Sequence, residues 1–244
     1  MQNKVDDLVK WLKDQVSEAN VNGLVVGISG GIDSAVVANL IKRALPNHSI
    51  GVMMPCKSNP DDLKYANQVA TAANIDHITI DLTETHEKLF TTVTNVLDQH
   101  DVHNVEKDKL ADANLRARLR MSTLYTVATN HNYLVVGTDN AAEWYTGYFT
   151  KFGDGGIDLA PIINLTKGEV REMAKFLNVP DAVITKQPSA GLWEGQTDET
   201  EMGTTYAMID SFLRGETIPE QDRQIIEAMH QRSAHKREGI KVPN

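Results

Sequence analysis

Unbroken apolar runs alternate with helically spaced ones along this chain. Val5, Leu8, Val9, Leu12 and Val16 recur at the spacing of an amphipathic helix. LVVGI (24–28) is a continuous apolar run, the mark of a strand covered on both faces. DSAVVANLIKRAL (33–45) returns to helical spacing, and SIGVMMP (49–55) predicts a second strand. Asn59-Pro60 sets an N-cap before a proline at the first helical position, so a helix starts there. HITIDL (77–82) predicts a third strand, residues 83–98 a helix, 111–131 a long helix and YLVVG (133–137) a fourth strand. After a glycine-rich loop, IDLAPI (157–162) predicts a short fifth strand. Thr166 and Glu169 form a capping box for the next helix. Residues 186–203 carry little periodicity and predict a mobile loop, and two helices near 204–214 and 219–234 follow.

Strands that alternate with helices build a parallel sheet through right-handed crossovers. The expectation is an α/β fold: one domain over residues 1–244, with a five-stranded parallel sheet and helices on both faces. Ligands of such sheets sit beyond the carboxyl ends of the strands. That directs attention to the segment after residue 28 and to the segment after residue 137.

Composition narrows the function classes. The chain has 244 residues and a formal net charge of −9, which argues against a nucleic-acid surface. No apolar run approaches the roughly 18 residues of a membrane span, and MQNKVDDLVKWLKDQ lacks the apolar stretch of a signal peptide. One cysteine, Cys56, excludes an internal disulfide and a cysteine-built zinc site. A cytoplasmic location is the expectation.

The chemistry concentrates in SGGIDS (29–34). A glycine pair between a strand and a helix N-terminus presents backbone N–H groups to an anion. The lysine of a Walker A loop is absent, which suits a pyrophosphate that leaves as one piece. Asp33 would repel a bare phosphate, but it makes sense as a ligand of Mg²⁺, which takes one or two carboxylates and completes its shell with phosphate oxygens and water. A second carboxylate should then converge on the same place, and Glu143 follows the fourth strand, with Thr138 nearby and Asp139 as a candidate N-cap. A tight turn with a solvated Glu143 is the plain alternative.

SGGIDS resembles the pyrophosphatase loop of the N-type ATP pyrophosphatases. With NLRARLRM (114–121), VVGTDNAAEWYTGYFTKFGDGGIDLAPI (135–162), LTKGEVR (165–171), QTDETEMG (196–203) and AHKREGIKVP (234–243), most of the chain resembles ammonia-dependent NAD synthetase. Ala234 departs from the Glu that many relatives carry before His-Lys-Arg. The resemblance implies a ligase: the carboxylate of deamido-NAD attacks the α-phosphorus of ATP, pyrophosphate leaves, and ammonia converts the acyl-adenylate to NAD and AMP. By resemblance, Gly27, Ile28, Ser29, Gly30, Gly31, Ile32, Asp33 and Ser34 bind ATP together with Thr138, Lys167 and Ser189. Asp33 and Glu143 bind Mg²⁺, and Asp154 lies near the ammonium site. Arg118, Lys151, Asp158, His235 and Lys236 match contacts to deamido-NAD, and Met53 and Met54 should flank the adenine. Leu115, Leu119, Leu124 and Val127 on the long helix fit an ordinary core face or a subunit interface alike, and the resemblance implies a tight homodimer with deamido-NAD bound at that interface. Free ammonia is the expected nitrogen donor. A tRNA-modifying adenylating enzyme and a nucleotide sensor are the rival readings. The first lacks its cysteines here, and the second has no use for two metal carboxylates.

Overall fold

A computed structural model of the chain describes residues 1–189, 195 and 197–243. Helix α1 spans Gln2–Glu18 and leads into strand β1, Gly23–Gly27. Then come α2 (Ile32–Ala44), β2 (Ser49–Met53), α3 (Pro60–Ala72), β3 (Asp76–Thr79), α4 (Thr83–Gln99), α5 (Asp108–His131) and β4 (Tyr133–Val136). The later part is helical: α6 (Ala141–Thr146), α7 (Lys167–Phe176), α8 (Asp181–Ile184), α9 (Asp198–Met202), α10 (Tyr206–Leu213), α11 (Glu220–Arg232) and α12 (Ala234–Arg237). The proline start of α3 is as the sequence predicts, with Asn59 Oδ1 accepting from Asp61 N–H at 3.0 Å.

The strands form one parallel sheet in the order β3-β2-β1-β4. Side chains of a strand point alternately to its two faces, and β1 divides its residues accordingly. Leu24 and Val26 join the core that packs α1, α2 and α7, whereas Val25 joins the core beneath α5. Each of the three is fully buried, which explains the unbroken apolar run. The chain leaves β1 toward β2 on one side and returns as β4 on the other. The crevice between the ends of β1 and β4 is therefore a topological switch point.

Three expectations change. The fifth strand is reduced to one bridge, Val136 to Leu159, so the sheet of the described residues has four strands. The reason is local: the Asp158 side chain itself accepts the Val135 N–H at 2.8 Å, a position that a longer backbone ladder would use. Strand β3 is exposed along its whole length, an edge strand rather than a buried one. Within 186–203, Asp198–Met202 forms helix α9, capped by Thr197, whose hydroxyl accepts from Thr200 N–H at 3.2 Å. Residues 190–194 and 196, the rest of the expected mobile loop, lie outside the described residues.

Candidate active site

The turn after β1 is tied to itself and leaves its helix end open. Ser34 Oγ donates to Gly31 O at 3.0 Å and accepts from Ser29 N–H at 3.3 Å, while Ser29 Oγ accepts from Gly31 N–H at 3.2 Å. Gly31 caps α2 without a side-chain hydrogen bond. The first N–H groups of α2 thus keep their donors for a ligand. Gly30 has φ +82°, and a Cβ there would lie 2.6 Å from Asp62 O and 2.9 Å from Tyr65 Cβ. Only glycine fits between the turn and α3.

The turn forms one wall of a cavity of ≈ 660 Å³ at the switch point, large enough for a nucleotide-sized ligand. Met53 and Met54 line it, as do Thr138, Asp139, Asp154, Lys167, Ser189 and Lys236. At the end of β4, Asn140 rather than Asp139 caps α6. Asn140 Oδ1 accepts from Ala142 N–H at 3.0 Å and from Glu143 N–H at 3.1 Å, and Glu143 Oε2 accepts from Asn140 N–H at 3.1 Å. Asn140 Nδ2 then donates to Asp33 Oδ1 at 2.9 Å. One amide side chain starts the helix and fixes the carboxylate across the crevice. The N-x-x-E spacing of a capping box is the signal that marks it in the sequence.

Asp33 and Glu143 converge on one cation. Lys167 Nζ lies 2.6 Å from Asp33 Oδ2 and 3.3 Å from Glu143 Oε1. Lys167 is 1% exposed, on the first turn of α7. Burial alone would lower its pKa, but the Asp33 and Glu143 carboxylates hold the ammonium above its ordinary value. Burial pushes the Glu143 carboxyl up to about 7, against the pull of Lys167 and with the push of Asp33.

These residues fit a bound Mg²⁺. A buried ammonium already sits where the two carboxylates point, so the site accommodates a cation between hard oxygen donors. Among the described residues no cluster of three or more His, Cys, Asp or Glu is placed to hold a metal. Two protein oxygens suit Mg²⁺, which keeps water and phosphate oxygens in its shell.

Asp154 lines the cavity from a solvent-exposed position; its Oδ1 accepts from Thr150 N–H at 2.8 Å, and desolvation by the surrounding protein raises its pKa against local hydrogen bonds. Asp139 is 5% exposed and raised further, by burial and then by the Asp154 charge. Lys236 Nζ stands nearby, donating to Gly147 O at 2.7 Å and Phe149 O at 2.5 Å.

The residues matched to deamido-NAD divide into two groups. Arg118 donates to Lys151 O at 3.4 Å, Lys151 Nζ donates to His235 O, and Lys236 is adjacent, so these four share one rim. Asp158 stands apart: it accepts from Tyr125 OH at 2.8 Å and from the β4 backbone, outside the cavity wall. The sequence reading missed Arg120. Two residues along a helix turn about 200° around its axis, so Arg118 faces outward and Arg120 faces the cavity. Arg120 Nε donates to Met54 O at 3.1 Å and Nη2 to Ser58 Oγ at 3.2 Å. It also missed Tyr206 and Asp198, whose partnership depends on the tertiary fold.

The profile of the NAD synthase family matches residues 4–239. The chain is 56% identical over 241 residues to an NH₃-dependent NAD⁺ synthetase of Alkaliphilus metalliredigens, covering 99% of this chain and 98% of the relative. Among solved structures it is similar to an NMN synthetase from Francisella tularensis, with a TM-score of 0.91 and 40% identity over 100% of this chain and 98% of that one. It is also similar to an NH₃-dependent NAD synthetase from Campylobacter jejuni solved with a nitrate ion. There the TM-score is 0.77 and the identity 27%, again over 100% and 98% of the two chains.

Proposed function

Because this chain belongs to the NAD synthase family, we propose that it is an ammonia-dependent NAD⁺ synthetase, a ligase that amidates deamido-NAD at the expense of ATP. The convergence of Asp33 and Glu143 on one cation beside an uncapped helix N-terminus is the observation that carries this reading. The turn at 29–34 and the start of α2 receive the pyrophosphate part of ATP. Mg²⁺, held by Asp33 and Glu143, neutralises phosphate charge when bound. Lys167 supplies a second positive charge at the same place, and Thr138 and Ser189 contact the nucleotide.

The acceptor carboxylate attacks the α-phosphorus, pyrophosphate departs, and ammonia attacks the acyl-adenylate with release of AMP. The amide nitrogen sheds one proton in that second step. Asp154, which lines the cavity with a pKa raised by desolvation, is assigned here as its acceptor. Arg118, Lys151, His235 and Lys236 form the rim that holds the acceptor, while Asp158 acts from behind it by fixing Tyr125 and the end of β4. Ammonia as donor is supported by the names of the curated relatives, of which this chain covers nearly the whole length.

The chain acts as a single domain and pairs as a homodimer. Helix α4 supports the pairing: Leu89, Val93 and Val96 share one face and remain 41%, 46% and 47% exposed. Of the residues expected at the interface, Leu119 and Leu124 pack partly buried against the core beneath α5 and Val127 is buried in it. Among the described residues no helix is long and apolar enough to cross a membrane. A cytoplasmic location is part of the proposal, consistent with a buried free thiol at Cys56.

A second reading shortens the acceptor. The closer likeness to an NMN synthetase than to the Campylobacter jejuni NAD synthetase favours nicotinate mononucleotide as a candidate substrate. One assay tests both: pyrophosphate release and amide formation with ATP, Mg²⁺ and either the mononucleotide or the dinucleotide, with ammonium or glutamine. Turnover of deamido-NAD with ammonium and not with glutamine is the expected result. A higher kcat/KM for the mononucleotide would assign the second reading, and release of pyrophosphate with neither acceptor would defeat both.

A further inference from the structure

Tyr206, the first residue of α10, is 1% exposed, and its hydroxyl lies between two carboxylates. Tyr206 Oη is 2.9 Å from Glu143 Oε1 and 2.9 Å from Asp198 Oδ2. Asp198, on α9, is 5% exposed, and its other oxygen accepts from Tyr148 OH at 3.2 Å. The ring of Tyr206 packs with Ala142, Met202, Ile209, Ile226 and Met229, and Lys167 Nζ stands 4.5 Å from its centroid. A phenylalanine would fill the same space. A hydroxyl buried here costs desolvation unless it has a task.

We infer that Tyr206 is a positioning residue for Glu143, holding its carboxylate in the plane that a divalent cation needs, and that Asp198 competes for the same hydroxyl proton. The inference rests on the reading that Glu143 ligates Mg²⁺. Glu143 Oε2 is fixed by the Asn140 N–H at 3.1 Å. Oε1, the oxygen that faces the cation, has two partners, Lys167 Nζ at 3.3 Å and Tyr206 OH at 2.9 Å. A cation bound beside Oε1 would repel the Lys167 ammonium from it, and Tyr206 would be the neutral partner left there. Without it the carboxylate turns about its terminal bond, restrained at one oxygen only. A hydroxyl has one proton to donate, so Tyr206 serves Glu143 or Asp198 but not both. Asp198 thereby links the metal carboxylate to α9, in the segment whose weak periodicity hides any role.

Mn²⁺ in place of Mg²⁺ gives a direct readout, by electron paramagnetic resonance on protein saturated with a non-hydrolysable ATP analogue. Loss of an outer partner of a metal ligand costs about 10–100-fold in metal affinity. Tyr206→Phe should therefore weaken Mn²⁺ retention about 10-fold and raise the half-saturating Mg²⁺ by a similar factor, with a smaller effect on kcat. Asp198→Asn should leave Mn²⁺ retention equal or tighter. Its amide can donate to Tyr206 Oη and accept from Tyr148, which commits the Tyr206 proton to Glu143. A role confined to packing predicts loss in both variants, in step with their melting temperatures, and that result would overturn the inference. Unchanged Mn²⁺ retention in folded Tyr206→Phe overturns it as well. Glu143→Gln separates the two layers: if it loses Mn²⁺ while Tyr206→Phe does not, only the positioning role fails. If Glu143→Gln also retains Mn²⁺, the metal reading fails and the inference with it.

Discussion

The Lys167 ammonium lies 2.6 Å from the Asp33 carboxylate, across 134 positions of sequence, and 3.3 Å from Glu143 Oε1. The ammonium offsets the mutual repulsion of these two half-buried carboxylates. Breaking a buried ion pair at one partner costs about 3–5 kcal/mol, because the other charge stays uncompensated. Lys167→Met should lower the melting temperature, and Mg²⁺ with ATP should restore more of it than in the wild type. Adenylation should fall on the order of 10²–10³-fold, the scale for losing one electrostatic contact to a reacting phosphate or oxyanion. Calorimetry with and without Mg²⁺–ATP, together with pyrophosphate release, checks both parts. An unchanged melting temperature would mean that the carboxylates do not depend on this charge.

Gly30→Ala should disable the phosphate turn. The backbone there is left-handed, at φ +82°, which costs a side chain roughly 1–2 kcal/mol. The new Cβ would also meet the Asp62 carbonyl of α3 at 2.6 Å, so the turn or the helix must move. Nucleotide affinity should drop at least tenfold while the far-ultraviolet dichroism stays native. Gly195→Ala is the control for φ alone, since it is left-handed with nothing within 4 Å. Equal effects of the two changes on ATP binding would count against the close approach.

What could be read from the sequence was local. The β1 run, the SGGIDS turn and the Asn59-Pro60 start of α3 each depend on neighbours a few residues away, and each stands as read. Asp33 and Glu143 were legible because a carboxylate in a phosphate turn demands a counter-ion and hence a partner. The fifth strand was not, because the Asp158 side chain does the work of a backbone acceptor, and no periodicity marks that exchange. The cap of α6 fell one residue from its expected place because Asp139 and Asn140 are both good caps and only the fold decides which one turns inward. Arg120 was passed over for Arg118 because the resemblance marks one arginine, whereas the helix phase aims the other at the cavity. Helix α9 is short and acidic, and its contacts with Tyr206 and Tyr148 arise only when α10 folds against α6.

The link between α4 and α5 should weaken as pH rises. His103 bridges them, Nδ1 to Asp98 Oδ1 at 2.7 Å and Nε2 to Asp108 Oδ1 at 2.8 Å. The hydrogen bonds to Asp108 and Asp98 raise its pKa above the ordinary value of 6.5. A raised folded value means that protonation favours the folded state. The contribution is complete below the unfolded pKa and is lost as pH climbs through the folded one. His103→Gln should therefore lower the melting temperature more at pH 5.5 than at pH 9, where the two proteins converge. A difference that stays constant with pH would show that the bridge is not held by charge.

Val93→Asp should separate the proposed dimer into monomers without harming the fold. Leu89, Val93 and Val96 lie four and three positions apart, so they form one stripe along α4. Val102 and Val105, past the end of the helix, are also exposed, at 65% and 70%. Of the residues of α4, only His86 is buried, an unusual economy for a helix of 17 residues. A two-fold axis lets one such stripe cover its own copy. A carboxylate at the middle of the stripe would face its twin, and both would lose water. In the isolated chain the same carboxylate stays solvated, and surface substitutions of this kind usually change stability by no more than about 0.5 kcal/mol. Sedimentation should therefore show a dimer for the wild type and a monomer for Val93→Asp at equal concentration and similar melting temperature. If the partner supplies part of the acceptor wall, the variant should lose affinity for the dinucleotide more than for ATP. The cavity is lined by β1, β2, β4 and by α2, α3, α5, α6 and α7 of one chain, among other segments. A wild type that sediments as a monomer while fully active would remove the dimer, and with it any need for a second chain at the rim formed by Arg118, Lys151 and His235.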